Sequence, residues 1–570
     1  MKASLNLKFE EYPLKVPSLK IIDKKYASLI QELKECGSAL TALPVIKKFN
    51  KLSEEINTQM SIIYARHSVN TKDPIYKRAQ DKCDEISPML SNYSSQFSSI
   101  LAKAKYRKDL EKSLGKYLFR MIDDSLKTFD EKIIPELIEE NKLSSQYDQI
   151  MGSAQIEFNG GTYNLSQLGK FTQDKDREIR KAAAIALDKW LGENEEALGD
   201  IYDKLVKVRD TIAKKLGFKN FIEVAYLRLG RTDYKAKDVK GYRNQIATSV
   251  IPLCTKLYKD QMKNLGIKNP QYYDYNLAFK SGNPTPAGDS KYLINAAKKM
   301  YDAMSKESSD FFRHMLDHNL LDLETKDGKA PGGYCTYFST YKTPFIFANF
   351  NGTQHDVNVL THEVGHGLQA YLSSGIKIPQ YQSPTLEACE IHSMSMEFFA
   401  WPYMEDFFGK DANKYRFYHL RDSIEFLPYG ITVDEFQHWV YEHPNATHLE
   451  RCAKWREIES NYTPHKKYDE LPTLNHGAYW LRQGHIFSTP FYYIDYTLAQ
   501  VCAFQFFIEM RKNQPKAWKK YVKLCKMGGK YPFVELLENA KLRNPFIDGN
   551  VEKVIKPLAK ILKEFDTSSF

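Results

Sequence analysis

Leu360-Thr361-His362-Glu363-Val364-Gly365-His366-Gly367 reads H-E-x-x-H inside a segment of helical character. Histidines at i and i+4 lie about one turn apart on one helix face, so both imidazoles can converge on a single ion. Imidazole suits zinc, and a catalytic zinc site takes three protein ligands and keeps a fourth position for water. Glu363 follows the first histidine and can take a proton from that water as general base. The stretch predicts a helix with two metal ligands, His362 and His366, and it asks for a third ligand elsewhere.

Three and six residues after His366 stand Gln369 and Leu372, so the longer H-E-x-x-H-x-x-G-x-x-H arrangement is absent. A carboxylate on a following helix is the expected third ligand. Ser383-Pro384 reads as a helix opening, with Ser383 as cap and Pro384 at the first helical position. Beyond it, Glu387, Glu390 and Glu397 share one side of an otherwise apolar helix. Buried carboxylates need a partner, and a cation on the facing helix would supply one. Spacing alone does not choose between Glu387 and Glu390. Gly365 and Gly367 stand inside the motif helix, where each costs about 1 kcal/mol relative to alanine. Close approach of another backbone or of a substrate would compensate.

Hydrolysis of an amide also needs donors for the oxygen that gains negative charge. Arg482-Gln483-Gly484-His485-Ile486-Phe487-Ser488-Thr489-Pro490-Phe491-Tyr492-Tyr493-Ile494-Asp495-Tyr496 supplies one imidazole and three phenols. Upstream of the motif, Phe345–Phe350 reads as an edge strand to which an extended peptide could add by β-augmentation. Gly332-Gly333-Tyr334 reads as a loop able to close on substrate, and Asp356 as a group that orients a ligand histidine. A second i, i+4 pair, His314 and His318, has no following glutamate and reads as a solvated helix face.

The 570-residue chain exceeds the size at which one hydrophobic core stops growing. Hydrophobic residues make up 42% and charged residues 27%, the balance of a water-exposed globular fold. No run approaches the ~18 apolar residues of a membrane span, and the start of the chain lacks the apolar stretch of a secretion signal. The eight cysteines are scattered without a C-x-x-C pair, which argues against a disulfide framework or a zinc knuckle. The expected compartment is the cytoplasm. Net charge is +10, but lysines are spread along the chain and interleaved with acids, which argues against a nucleic-acid footprint.

Most of the chain has helical periodicity, as in Tyr26–Cys36, Arg107–Phe129 and Arg177–Trp190, the last with Thr172 or Asp174 as candidate cap. Extended segments are few: Gln155–Phe158 closed by Asn159-Gly160-Gly161, Gly333–Phe338, and Pro344–Phe350 closed by Asn351-Gly352. The expected fold is mainly α with a small β-sheet. A boundary near residues 185–200 divides it into an N-terminal helical lobe, 1–190, and a catalytic lobe, 191–570.

The motif together with Thr385–Phe399 resembles the oligoendopeptidase F branch of the thimet oligopeptidase family, and the likeness runs from near Arg177 through Tyr496. In that family a zinc-binding glutamate and a second glutamate follow the motif in the register that Glu390 and Glu397 occupy here. The resemblance therefore implies His362, His366 and Glu390 as ligands of one Zn2+ per chain, with Glu397 and His392 supporting them. It implies His485 as a transition-state donor and favours Tyr493 and Tyr496 over Tyr492 beside it. It also implies a bilobed, elongated metallopeptidase with a deep channel that admits short unstructured oligopeptides, and no nucleic-acid or membrane partner. The alternatives are a metallo-carboxypeptidase of the same clan and a non-catalytic peptide-binding helical protein.

Overall fold

The computed structural model describes residues 7–570. Helices dominate, with a two-stranded and a three-stranded sheet, as the sequence periodicity predicts. The chain opens with helices Leu19–Lys34, Ala39–Val69 and Pro74–Lys103. Ser38 caps the second by accepting the Thr41 N–H, and Asp73 caps the third ahead of Pro74 at its first position. Their apolar faces close over Ile22, Tyr26, Ile46, Phe49 and Phe97, where Phe49 and Phe97 stack at 3.8 Å. The predicted helix Arg107–Phe129 is broken at Gly115, whose φ of 93° no helix accepts, into Arg107–Leu114 and Lys116–Lys127.

This N-terminal core draws on residues 22–122 and on Tyr381. The Tyr381 hydroxyl accepts the Leu118 N–H at 2.9 Å and donates to the Leu114 carbonyl at 3.0 Å. Tyr381 lies between the motif helix and the following glutamate helix, so the N-terminal module is pinned to the connection that sets their mutual position. The second, larger core takes in most of the remaining chain. Residues 185–200 lie within one uninterrupted helix, Arg177–Lys215, which Asp176 caps by accepting the Glu178 N–H. The N-terminal core ends at Ile122 apart from Tyr381, while Phe9, Tyr12, Ile62 and Ala65 pack into the larger core. A continuous apolar period carries no mark of which core each turn faces.

Strands β1 (Ile156–Phe158) and β2 (Gly161–Tyr163) form a hairpin. Its turn places Asn159 and Gly160 at φ of 48° and 77°, as a two-residue hairpin loop requires. Strands β3 (Leu321–Glu324), β4 (Tyr334–Phe338) and β5 (Thr343–Phe350) form the second sheet in the order β3-β5-β4. β5 pairs parallel with β3 and antiparallel with β4. The segment read as an edge strand is thus the central one, which is why its apolar run is nearly continuous; β3 and β4 are the edges. β5 leads through the Asn351-Gly352 turn into the motif helix, His355–Ser373. Asp356, read as a partner for a histidine, instead accepts the N–H groups of Asn351 and Gly352 at 2.9 and 2.7 Å and ties the turn to the helix.

Candidate metal centre

The glutamate helix, Leu386–Phe399, starts after Thr385, two residues beyond the Ser383-Pro384 opening read from the sequence. It crosses the motif helix at Gly365. A Cβ on that residue would lie 2.6 Å from the Ser393 Cα and 2.7 Å from the His392 carbonyl oxygen, closer than packed atoms approach. The absent side chain is what lets the two backbones touch and the carboxylate of Glu390 reach the histidines.

Glu390 Oε2 lies 3.1 Å from His362 Nε2 and 3.3 Å from His366 Nε2. The same oxygen accepts from Ser393 Oγ at 2.9 Å, and the Tyr492 hydroxyl donates to Oε1. Glu390 is buried; burial opposes its charge, but His366 and His362 hold it well below the ordinary carboxylate range. Glu387 points elsewhere, to Tyr234 at 3.1 Å beside Arg231, and burial pushes its pKa up to about 7. Tertiary structure makes the choice that spacing left open.

Behind the histidines runs a chain of hydrogen bonds that assigns protons. The Trp401 indole N–H donates to His419 Nδ1 at 3.0 Å, and an indole can only donate. His419 must then carry its proton on Nε2, which donates to Glu397 Oε2 at 2.8 Å. Glu397 Oε1 accepts from His362 Nδ1 at 2.8 Å. In the neutral imidazole this leaves Nε2 of His362 as a bare lone pair facing a carboxylate oxygen. Two lone pairs at this distance repel unless a cation or a proton lies between them. The field points the same way: against the opposing effect of burial, Glu390 and Glu397 raise the His362 pKa well above 6.5. Donor set and field both fit a divalent cation held by His362, His366 and Glu390, with Glu397 fixing the tautomer of the first ligand.

Glu363, on the same helix, is buried, and its Oε2 has no hydrogen-bond partner. Burial raises its pKa above 4.5 against the pull of the two histidines. The start of β4 runs beside it: a Cβ on Gly333 would stand 3.7 Å from Glu363 Oε1. Across the site, the Gln483 amide donates to His485 Nδ1 at 2.7 Å, so the His485 proton sits on Nε2, 3.2 Å from the Tyr496 hydroxyl. Burial lowers the His485 pKa to about 4, so the ring is a neutral donor at physiological pH.

Of the three phenols, Tyr492 reaches Glu390 and Tyr496 reaches His485, while the Tyr493 ring packs edge-on against Phe426 and Tyr429. His392 is fully buried with neither ring nitrogen bonded, so it supports no ligand through a hydrogen bond. His419, Trp401 and Gln483 carried no local signal in the sequence; only burial on other elements marks them. His314 Nε2 contacts Thr343 Oγ1 and His318 Nδ1 contacts the His314 carbonyl, so that pair serves packing.

Comparison with known proteins agrees with this architecture. Residues 170–554 match the model of peptidase family M3, and residues 9–129 match the peptidase M3 N-terminal domain. The chain belongs to peptidase family M3 and is a hydrolase of peptide bonds; within that family it is oligoendopeptidase F-like. The oligoendopeptidase F homolog of Borreliella burgdorferi is 24% identical over 549 residues, which cover 88% of each chain. The solved structure titled PZ peptidase A with inhibitor 2 superposes with a TM-score of 0.97 at 46% identity, covering 98% of this chain and 100% of that one. A putative oligoendopeptidase F from Bacillus anthracis superposes with a TM-score of 0.93 at 46% identity, covering 99% of each chain.

Proposed function

We propose that the protein is a zinc-dependent oligoendopeptidase that cuts internal bonds of short unstructured peptides. The observation that carries this reading is the convergence of His362 Nε2, His366 Nε2 and Glu390 Oε2 beside the unpartnered carboxylate of Glu363. His362, His366 and Glu390 would hold one zinc ion, which when bound acidifies a water and polarises the scissile carbonyl. Glu363 takes the proton of the attacking water and returns a proton to the leaving amine; its raised pKa suits an acceptor that must also donate. His485 Nε2–H, held by Gln483, and the Tyr496 hydroxyl offer donors to the oxygen that gains charge. Tyr492 acts on Glu390, holding it against rotation. The free edge of β4 beside Glu363 supports binding of an extended peptide through main-chain hydrogen bonds, which favours affinity without strict sequence preference.

Among the described residues no helix is long and apolar enough to cross a membrane, and all eight cysteines are free thiols, which suits the reducing compartment expected from sequence. A fluorogenic peptide blocked at both ends tests the reading. Cleavage that is lost on chelation and restored by one equivalent of zinc supports an endopeptidase. Cleavage of only the unblocked peptide from its C-terminus would replace it with a carboxypeptidase.

A further inference from the structure

We infer that Glu195, His448 and Cys452, braced by His476, form a second metal site for a borderline divalent cation such as zinc. Three separate segments bring these groups together. Glu195 comes from the helix Arg177–Lys215. His448 and Cys452 stand at i and i+4 on the helix His448–Tyr462, so they share a face. His476 ends the short helix Pro472–Asn475.

One donor atom each from Glu195, His448 and Cys452 lies within 4.8 Å of the others. His448 Nε2 is 2.7 Å from Glu195 Oε1 and 3.4 Å from Cys452 Sγ. His476 Nε2 is 3.0 Å from Glu195 Oε1 and 3.1 Å from Oε2. Tetrahedral coordination at ordinary zinc bond lengths separates neighbouring donors by roughly 3.3–3.6 Å. The His448–Cys452 separation is close to that spacing and the Glu195–His448 separation is contracted by the proton the two share, while His476 holds Glu195 from outside the group of three. One thiol, one imidazole and one carboxylate are donors that suit zinc better than magnesium or calcium, and His476 keeps its Nε2 proton as a donor to Glu195.

Burial is graded as a closed structural site requires. Cys452 is 1% exposed, and the side chains of Glu195, His448 and His476 are 19%, 25% and 39% exposed, which leaves an entry path from solvent. His448 Nδ1 is buried without a partner, so only the bond from Nε2 to Glu195 sets the tautomer, and a cation taking up that carboxylate would release it. On coordination the Cys452 S–H bond is replaced by a sulfur–metal bond and that proton leaves to solvent, while the His448 proton moves from Nε2 to Nδ1. With one proton released, binding should tighten about tenfold per pH unit. The ion would staple two helices, and Glu195 in turn holds through His476 the turn that leads, nine residues later, to His485.

Cobalt distinguishes the two sites, because the catalytic shell of two histidines and a glutamate contains no sulfur. The full-length protein dialysed against Co2+ should bind two ions per chain and show sulfur-to-cobalt charge-transfer absorption in the near ultraviolet. Cys452→Ser should abolish that band. Glu195→Gln and His476→Ala, at partly exposed positions, should each weaken the sulfur-linked site at least ~10-fold. Absence of the band in the unaltered protein, or its persistence in Cys452→Ser, overturns the inference. So does unchanged affinity in both Glu195→Gln and His476→Ala, should the serine variant fail to fold.

Discussion

The His362–His366–Glu390 cluster and the Glu195–His448–Cys452–His476 cluster use similar side chains and are supported differently. In the first, the ligand His362 is backed by Glu397, His419 and Trp401, and each bond fixes the proton of the next. In the second, His448 Nδ1 has no partner, and Glu195 is shared by two imidazoles. The first is organised before an ion arrives; the second must rearrange a proton to receive one. The difference separates a site tuned for chemistry from one suited to holding segments together.

The largest effect should come from Glu363, which touches the chemistry without contributing to the ligand set. Glu363→Gln should retain zinc by metal analysis and lose roughly 10²–10⁴-fold in turnover of a blocked peptide. Near-normal cleavage by that variant would end the assignment. Removing a donor on the opposite side should cost nearly as much. His485→Ala is expected to lower kcat by about 10²–10³-fold with little change in metal content. The His485 pKa of about 4 adds a pH test. An acid limb of kcat/KM near pH 6.5 cannot arise from its protonation, so such a limb should persist in any active His485 variant.

The supporting chain is tested next. Glu397→Gln should weaken zinc binding at the catalytic site by about 10–100-fold, because the ligand tautomer is no longer enforced. Equal zinc affinity in the variant and the unaltered protein would erase the contrast drawn between the clusters. Gly365→Ala is expected to have a smaller effect on the fold, about 1–3 kcal/mol of stability in urea unfolding, since the new methyl meets backbone atoms of the glutamate helix. Its zinc occupancy should fall with it, because the helices must part.

A pH effect on stability comes last because it is absent at neutral pH. His465 stacks on Tyr258 at 3.7 Å, and burial, with Lys466 and Arg421 nearby, lowers its pKa to about 3. Its folded pKa is below the unfolded 6.5, so the unfolded chain binds the extra proton first. This contribution to stability is full above pH 6.5 and is lost as pH falls toward 3. His465→Gln should flatten that part of the stability profile in denaturant titrations.

The two clusters also differ in how far they could be read from the chain. His362 and His366 were legible because helical spacing alone puts them on one face, and Glu363 because it follows the first histidine in the motif. The hairpin at Asn159-Gly160 and the strand after Thr343 were legible for the same local reason. Glu390 needed the family register. Neither spacing nor periodicity separates it from Glu387, three residues earlier on the same side. His419 and Trp401 belong to other elements, and their role exists only through burial against Glu397. Phe345–Phe350 was misread as an edge strand because an apolar run does not say which of its edges is paired.

By itself the sequence determined the helical class of the fold, the histidine pair on one helix face with its adjacent glutamate, and the lack of a long apolar span. These follow from periodicities of a few residues, which local backbone geometry enforces. Tertiary structure brought the Glu390 carboxylate to both histidines, set the Tyr492 hydroxyl against it, and packed the chain into its cores. It also gathered Glu195, His448, Cys452 and His476 from three segments. Such choices depend on the angle and distance between packed helices, as at Gly365, and those are set by contacts between residues far apart in the chain.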